Sequence, residues 1–201
     1  MLMKKNIHAC IATCLFIISI ACNKETAVIS SPVVQSSSVN LNQSAGNHFI
    51  GEHFGGGIIF YLNKSGKHGL IAASADLEEP AFWSSKDTLN GAADTALGSG
   101  SVNTVRIYRT QGYPKYEADD YAALECMGLN LNGYQDWFLP SLNELNEMYK
   151  NKTTVGGFQP FSYWSSSESN ATKAWFKNFI DGSQVRQVKT ARYALRPVRK
   201  F

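Results

Sequence analysis

The stretch from Gly133 to Glu168 constrains the chain more than any other, because a strand end, a helix start and a second strand follow one another there. Asn132-Gly133 is a turn dipeptide. Trp137, Phe138 and Leu139 form a brief apolar run that Pro140 stops, since proline has no N–H for a ladder. Ser141 and Glu144 have capping-box spacing, in which the hydroxyl takes the amide three residues on and the glutamate reaches back. Leu142, Leu145, Met148 and Tyr149 follow at helical intervals. Phe161 to Trp164 is aromatic and strand-prone, and the strand is expected to break at the polar run Ser165–Ser169.

The same residues resemble a known family. Asp136-Trp137-Phe138-Leu139-Pro140-Ser141, Glu144-Leu145 and Tyr163-Trp164-Ser165-Ser166-Ser167-Glu168 are similar to the Lcl C-terminal-domain family of bacterial surface proteins. The likeness extends to Gly55-Gly56-Gly57-Ile58-Ile59-Phe60-Tyr61 and His68-Gly69-Leu70-Ile71-Ala72-Ala73. It also takes in Leu97-Gly98-Ser99-Gly100, Asn103-Thr104 and Arg196-Pro197-Val198-Arg199, so it covers about residues 49–201. The resemblance implies a C-type-lectin-like fold and, for some members, binding of sulfated glycans. The expected class is therefore α+β and C-type-lectin-like: two short helices with antiparallel hairpins and long irregular loops.

Three segments are expected: a lipoprotein signal peptide at 1–21, a lipidated flexible tether at 22–48, and the domain at 49–201. Lys4 and Lys5 precede an apolar core, Ile11 to Ile20, that is too short to span a membrane. Ser19-Ile20-Ala21-Cys22 resembles a lipobox, which makes Cys22 the lipidation site; an ordinary signal peptide or an uncleaved anchor is the alternative. Asn23 is not the aspartate that commonly retains lipoproteins at the inner membrane, so the expected location is the cell envelope, at the outer membrane. A flexible tether of this length has an end-to-end distance of about 25–30 Å. Removal of Cys10 and Cys14 and lipidation of Cys22 leave Cys126 alone in the domain, which excludes an internal disulfide. The core must hold the fold unaided, and Cys126, among Tyr121, Ala122 and Leu124, reads as a small buried hydrophobe.

Within the domain, Ile58–Leu62 and Leu70–Ala73 flank the turn Asn63-Lys64-Ser65-Gly66 and read as a hairpin. The triple glycine before it lacks the context of a phosphate loop and reads as close backbone packing. Residues 74–104 read as a long irregular loop holding Trp83, which is either a core plug or an exposed stacking surface for a sugar. A helix is expected near 117–127, with Glu117, Asp119 and Asp120 at its positive end and Gly128 as its stop. Ala174–Phe179 and Ser183–Thr190 flank Asp181-Gly182, the signal of a tight hairpin. Pro197 marks an edge or ladder end in the closing strand.

Charge is distributed unevenly along the chain. Between 171 and 201 eight basic side chains meet Asp181 alone, whereas residues 22–170 hold nine basic against fifteen acidic side chains. A two-residue Asp181-Gly182 turn would set Lys177 opposite Arg186, an unfavourable pair that a bound anion would relieve. Lys177, Arg186, Lys189, Arg192 and Trp83 are therefore the candidate ligand-binding residues, with acidic or sulfated polysaccharide as partner. The other reading is that the basic strands face the acidic remainder of the domain, or solvent.

The expected function is a non-catalytic, adhesin-like envelope lipoprotein that binds anionic glycans, reaches the membrane through its lipid alone, and is open to homo-oligomer formation. The alternatives are a structural or assembly subunit of a surface complex and a lectin-fold enzyme. Against the enzyme, Ser165-Ser166-Ser167 forms no nucleophile elbow, His-Glu-x-x-His does not occur, and a single domain cysteine does not make a zinc site. No cofactor, metal or nucleic acid is expected. Asp136 and Glu168 could offer oxygens to calcium, but such a site needs six or more, so both read as structural.

Overall fold

A computed structural model describes residues 47–112 and 121–201. Cys22, the signal peptide, nearly all of the tether and the acids Glu117, Asp119 and Asp120 lie outside the described residues. Among the described residues no helix is long and apolar enough to cross a membrane.

The chain is α+β with antiparallel sheets. A four-stranded sheet has the order β1 (His53–Phe54), β2 (Gly57–Leu62), β3 (Gly69–Ala72) and β9 (Val198–Lys200), and all its pairings are antiparallel. The β2–β3 hairpin forms where expected: the Asn63 side chain accepts the Ser65 amide, and Gly66 turns at φ +69°. Gly57 is tight as the sequence suggested, because a Cβ there would strike the Ala72 carbonyl. Pro197 stands just before the edge strand β9, where no ladder N–H is asked of it. Two further sheets pair β4 (Ala81–Phe82) with β8 (Arg192–Tyr193), and order β5 (Ser162–Glu168), β6 (Lys173–Asn178) and β7 (Gln184–Val188).

The expectation of two short helices is corrected to four among the described residues: α1 (Gly100–Gln111), α2 (Ala122–Gly128), α3 (Leu142–Lys150) and α4 (Lys152–Val155). The long irregular segment thus ends at Ser99 rather than near Thr104. α1 has an inward stripe, Gly100, Asn103, Thr104, Ile107 and Gln111, that is mostly polar and so carries no hydrophobic period. Its contacts are hydrogen bonds instead. Thr104 Oγ1 donates to the Gly100 carbonyl (2.8 Å) and accepts the Leu139 amide (3.1 Å), and Asn103 Nδ2 donates to the Asp94 carbonyl at 2.6 Å.

α3 starts on the expected capping box, with Ser141 Oγ accepting from the Glu144 amide and Glu144 accepting from the Ser141 amide. Trp137-Phe138-Leu139 is buried but contributes only an isolated bridge, Phe138 to Val198, instead of a strand. β5 is also a correction, because it runs through Ser165, Ser166 and Ser167 to Glu168 and all four are buried. A bulge between Trp164 and Glu168 aims the serines at partners: Ser165 Oγ donates to the Trp175 carbonyl and Ser167 Oγ to the Asp94 carbonyl.

Without a disulfide, aromatic packing holds the domain together. Trp83, Trp137 and Trp164 are each at most 2 % exposed, and a side chain of this kind buries roughly 150–250 Å². Each indole N–H finds a backbone carbonyl, on Ser165, Tyr134 and Ala81 respectively. Cys126 is fully buried, and burial first, with Glu125 adding to it, pushes its thiol well above the ordinary range.

Candidate functional site

The β6–β7 hairpin forms in a different register from the one the turn signal predicts. Lys177 pairs with Gln184 and Trp175 with Arg186, so Lys177 and Arg186 do not oppose each other. The connection is the five residues Phe179 to Ser183, not Asp181-Gly182 alone, because Phe179 turns into the core. Its ring packs at 4.4 Å from Tyr163 and 4.8 Å from Phe158, burial that a two-residue turn would forgo.

Three of the five candidate ligand residues are internal. Trp83 is a core plug. Lys189 is fully buried, with its ammonium 2.6 Å from Glu168 Oε1, 2.7 Å from the Thr88 carbonyl and 4.8 Å from the Trp83 ring centre. Lys177 is 2 % exposed and donates to the Gly182 carbonyl at 2.7 Å while lying over the Tyr149 ring. Burial first, and then the nearby Lys150 and Lys152, lower the Lys177 pKa against the pull of Asp181. Arg186 and Arg192 are exposed.

Much of the sequence's charge asymmetry is spent inside the fold. Lys189–Glu168, Arg196–Asp76 and Arg199–Asp136 join the basic last segment to the acidic remainder at 2.6, 2.6 and 2.7 Å. Glu168 also accepts the Asn90 and Gly91 amides and the Asn90 side chain, so it pins the long loop after Trp83. Desolvation pulls the Glu168 pKa upward, yet the Lys189 and Asn90 hydrogen bonds hold it below the usual carboxylate range. Glu144 pins the other end of the loop through the Gly98 and Gly100 amides; here burial wins and raises its pKa. The two motif glutamates are therefore loop clamps. Among the described residues no three His, Cys, Asp or Glu side chains are placed to hold a metal ion.

Of the other cations in the last segment, Lys173, Lys177 and Arg186 lie on one sheet face. Lys173, Trp175 and Lys177 alternate along β6 and share a side, and β7 sets Val188, Arg186 and Gln184 beside them. The Arg186 guanidinium lies 5.2 Å from the centre of the half-buried Trp175 ring. Among the described residues neither Arg186 nor Lys173 has a side-chain hydrogen bond or ion pair, and both are exposed. A guanidinium held over an indole at cation–π distance keeps its N–H edge free for a planar anion. Past Lys177 the positive field continues with Lys152, 4.3 Å over the Tyr149 ring. Arg192 stands apart in β8, stacked 3.9 Å over Phe82 and donating to the Pro80 carbonyl. Trp175 escaped the sequence reading because its role depends on the register that brings Arg186 onto it.

Comparisons with known proteins place this geometry in context. No curated protein sequence matches the chain. A fimbrial protein from Bacteroides ovatus is similar in structure with a TM-score of 0.45 and 16 % identity, over 66 % of this chain and 35 % of that one. The chain thus spans about a third of that protein's length. The model of the Lcl C-terminal domain matches residues 109–199, which include α2, α3, both clamping glutamates and the whole β5–β6–β7 sheet. The match is shorter than the likeness read from the motifs, and it contains Trp175 and Arg186. Over residues 109–199 the chain is thus similar to the Lcl C-terminal domain.

Proposed function

We propose that the chain is a non-catalytic, lipid-anchored module of the cell envelope that binds anionic extracellular glycans through the β6–β7 face. The Lcl C-terminal domain is a surface-protein domain, which fits an envelope location and an adhesin-like role. A C-type-lectin-like arrangement, anchoring through Cys22 and display at the outer membrane belong to the same reading. The observation that carries it is the exposed Arg186 lying over the Trp175 ring beside the exposed Lys173. Acidic or sulfated polysaccharide suits such a site: the cations meet the anion, and the indole offers an apolar wall.

The test is retention of the purified chain on a heparin column at low salt. The parent is expected to be retained and to elute as salt screens exposed charges, whose reach is about 10 Å at 0.1 M. Arg186→Ala and Trp175→Ala are expected to elute earlier with unchanged circular dichroism. Absence of retention, or equal elution of parent and variants, would remove this face as the glycan site.

A further inference from the structure

A cleft of about 320 Å³ lies where the segment after β3 meets the entry to β5, and none of its lining residues belongs to the β6–β7 face. One wall is the Phe161 ring, which is 52 % exposed although β5 is buried from Tyr163 onward. Leu77 supplies apolar surface, and Pro80, Gly157 and Ala194 complete the lining. The polar groups on the lining are Asp76, Glu78 and Gln159. No basic side chain lines it, which sets it apart from the cationic face.

The walls are held rigidly from behind. Asp76 accepts from Arg196 Nε at 2.6 Å and from the Tyr163 hydroxyl at 2.6 Å. Arg196 also donates to the Gly157 carbonyl, and the Tyr163 hydroxyl accepts the Gln159 amide at 2.9 Å. The Leu77 amide donates to the Leu195 carbonyl. The Asp76 charge is therefore balanced inside the wall by a buried guanidinium. What faces the opening is one exposed carboxylate, Glu78, the Gln159 amide and an aromatic ring.

We infer that this cleft is a subsite for an uncharged hexopyranose unit. The apolar C–H face of the sugar would lie on Phe161, with its hydroxyls shared between the Glu78 carboxylate and the Gln159 side chain. The volume suits one sugar ring, at the small end of ligand pockets, which begin at roughly 300 Å³. The aromatic face is the negative side of the ring quadrupole and favours C–H groups against it. A carboxylate accepting from hydroxyls makes the stronger, charge-assisted kind of hydrogen bond. An anionic ligand would meet the Glu78 carboxylate, while the nearest exposed cation, Arg192, is held on the Pro80 carbonyl and over the Phe82 ring. A cationic ligand would find Asp76 already neutralised and Glu78 screened by solvent.

The inference rests on the reading of the chain as a glycan-binding module, and its test separates the two. The full chain, isotopically labelled, is titrated with methyl glycosides of glucose, galactose and mannose and, separately, with cadaverine as a cationic probe. At least one hexoside is expected to shift the amides of Asp76, Leu77 and Phe161. Phe161→Ala and, independently, Glu78→Leu are each expected to weaken that binding roughly tenfold, the scale of one lost charge-assisted hydrogen bond or stacking contact. Heparin retention of both variants should stay at the parent level. If no hexoside perturbs these amides, if only cadaverine does, or if neither variant weakens hexoside binding, the subsite is overturned, whatever the heparin column shows. Hexoside binding with no heparin retention would instead overturn the cationic face and leave the subsite standing.

Discussion

Lys189 shows how one buried residue can look like a surface site. Its ammonium sits on the Trp83 ring and is shared between Glu168 and the Thr88 carbonyl, so the side chain is part of the core. Removing one partner of such a pair leaves a charge buried without compensation and costs about 3–5 kcal/mol. Lys189→Met is therefore expected to lower stability by that amount in chemical denaturation. A loss under about 1 kcal/mol would mean that Glu168 is solvated or paired by another group. Arg186 differs in consequence as well as in position. It is exposed on the half-buried Trp175, and its loss should affect binding far more than folding.

At the scale of elements, the capping box of α3 is the most local device, and it reaches beyond its own helix. Ser141 Oγ accepts the Glu144 amide at 3.3 Å and donates to the Ala96 carbonyl at 2.7 Å, so the cap also ties down the long loop. Ser141→Ala is expected to cost about 1 kcal/mol for the cap alone. The lost loop bond adds to this, and faster amide exchange around Ala96 is the readout specific to it. An unchanged melting temperature would show that Ser141 caps nothing. This box, the β2–β3 hairpin, the close-packed glycines and the Pro197 ladder end were legible because neighbouring residues determine each of them. α1 was not legible: its buried stripe is held by Asn103 and Thr104 hydrogen bonds, which leave no apolar period. The buried serines of β5 and the hairpin register depended on distant partners, Asp94 for one and the Phe158–Tyr163 pocket around Phe179 for the other. The site changed for the same reason, since Trp175 entered it and Lys177 left it once the register was set.

Across the whole molecule, ion pairs that join the last segment to the rest make stability depend on pH. Glu168 and Asp136 have folded pKa values below their unfolded ones, which are about 4.3 and 3.9. For Asp136 the Arg199 hydrogen bond leads the shift. Their stabilisation is present in full above the unfolded values and is lost as pH falls through the folded ones. Glu144 has the opposite sign, because burial raises its folded pKa and its ionisation costs stability as pH rises through that value. The melting temperature is therefore expected to drop from about pH 5 to about pH 3, with Glu144 offsetting part of the fall. Glu168→Gln should flatten the drop. An equally steep drop in that variant would place the acid sensitivity elsewhere.

The same ion pairs leave the β6–β7 face as the place where Lys173 and Arg186 stand unpaired among the described residues, and it is there that anionic glycan is proposed to bind. Amide hydrogen exchange of the full chain, with and without a heparin oligosaccharide, tests it most directly. Protection is expected to concentrate in peptides spanning 173–188, to weaken with salt and to be absent in Arg186→Ala. Protection confined to other segments, or none at low salt, would contradict it.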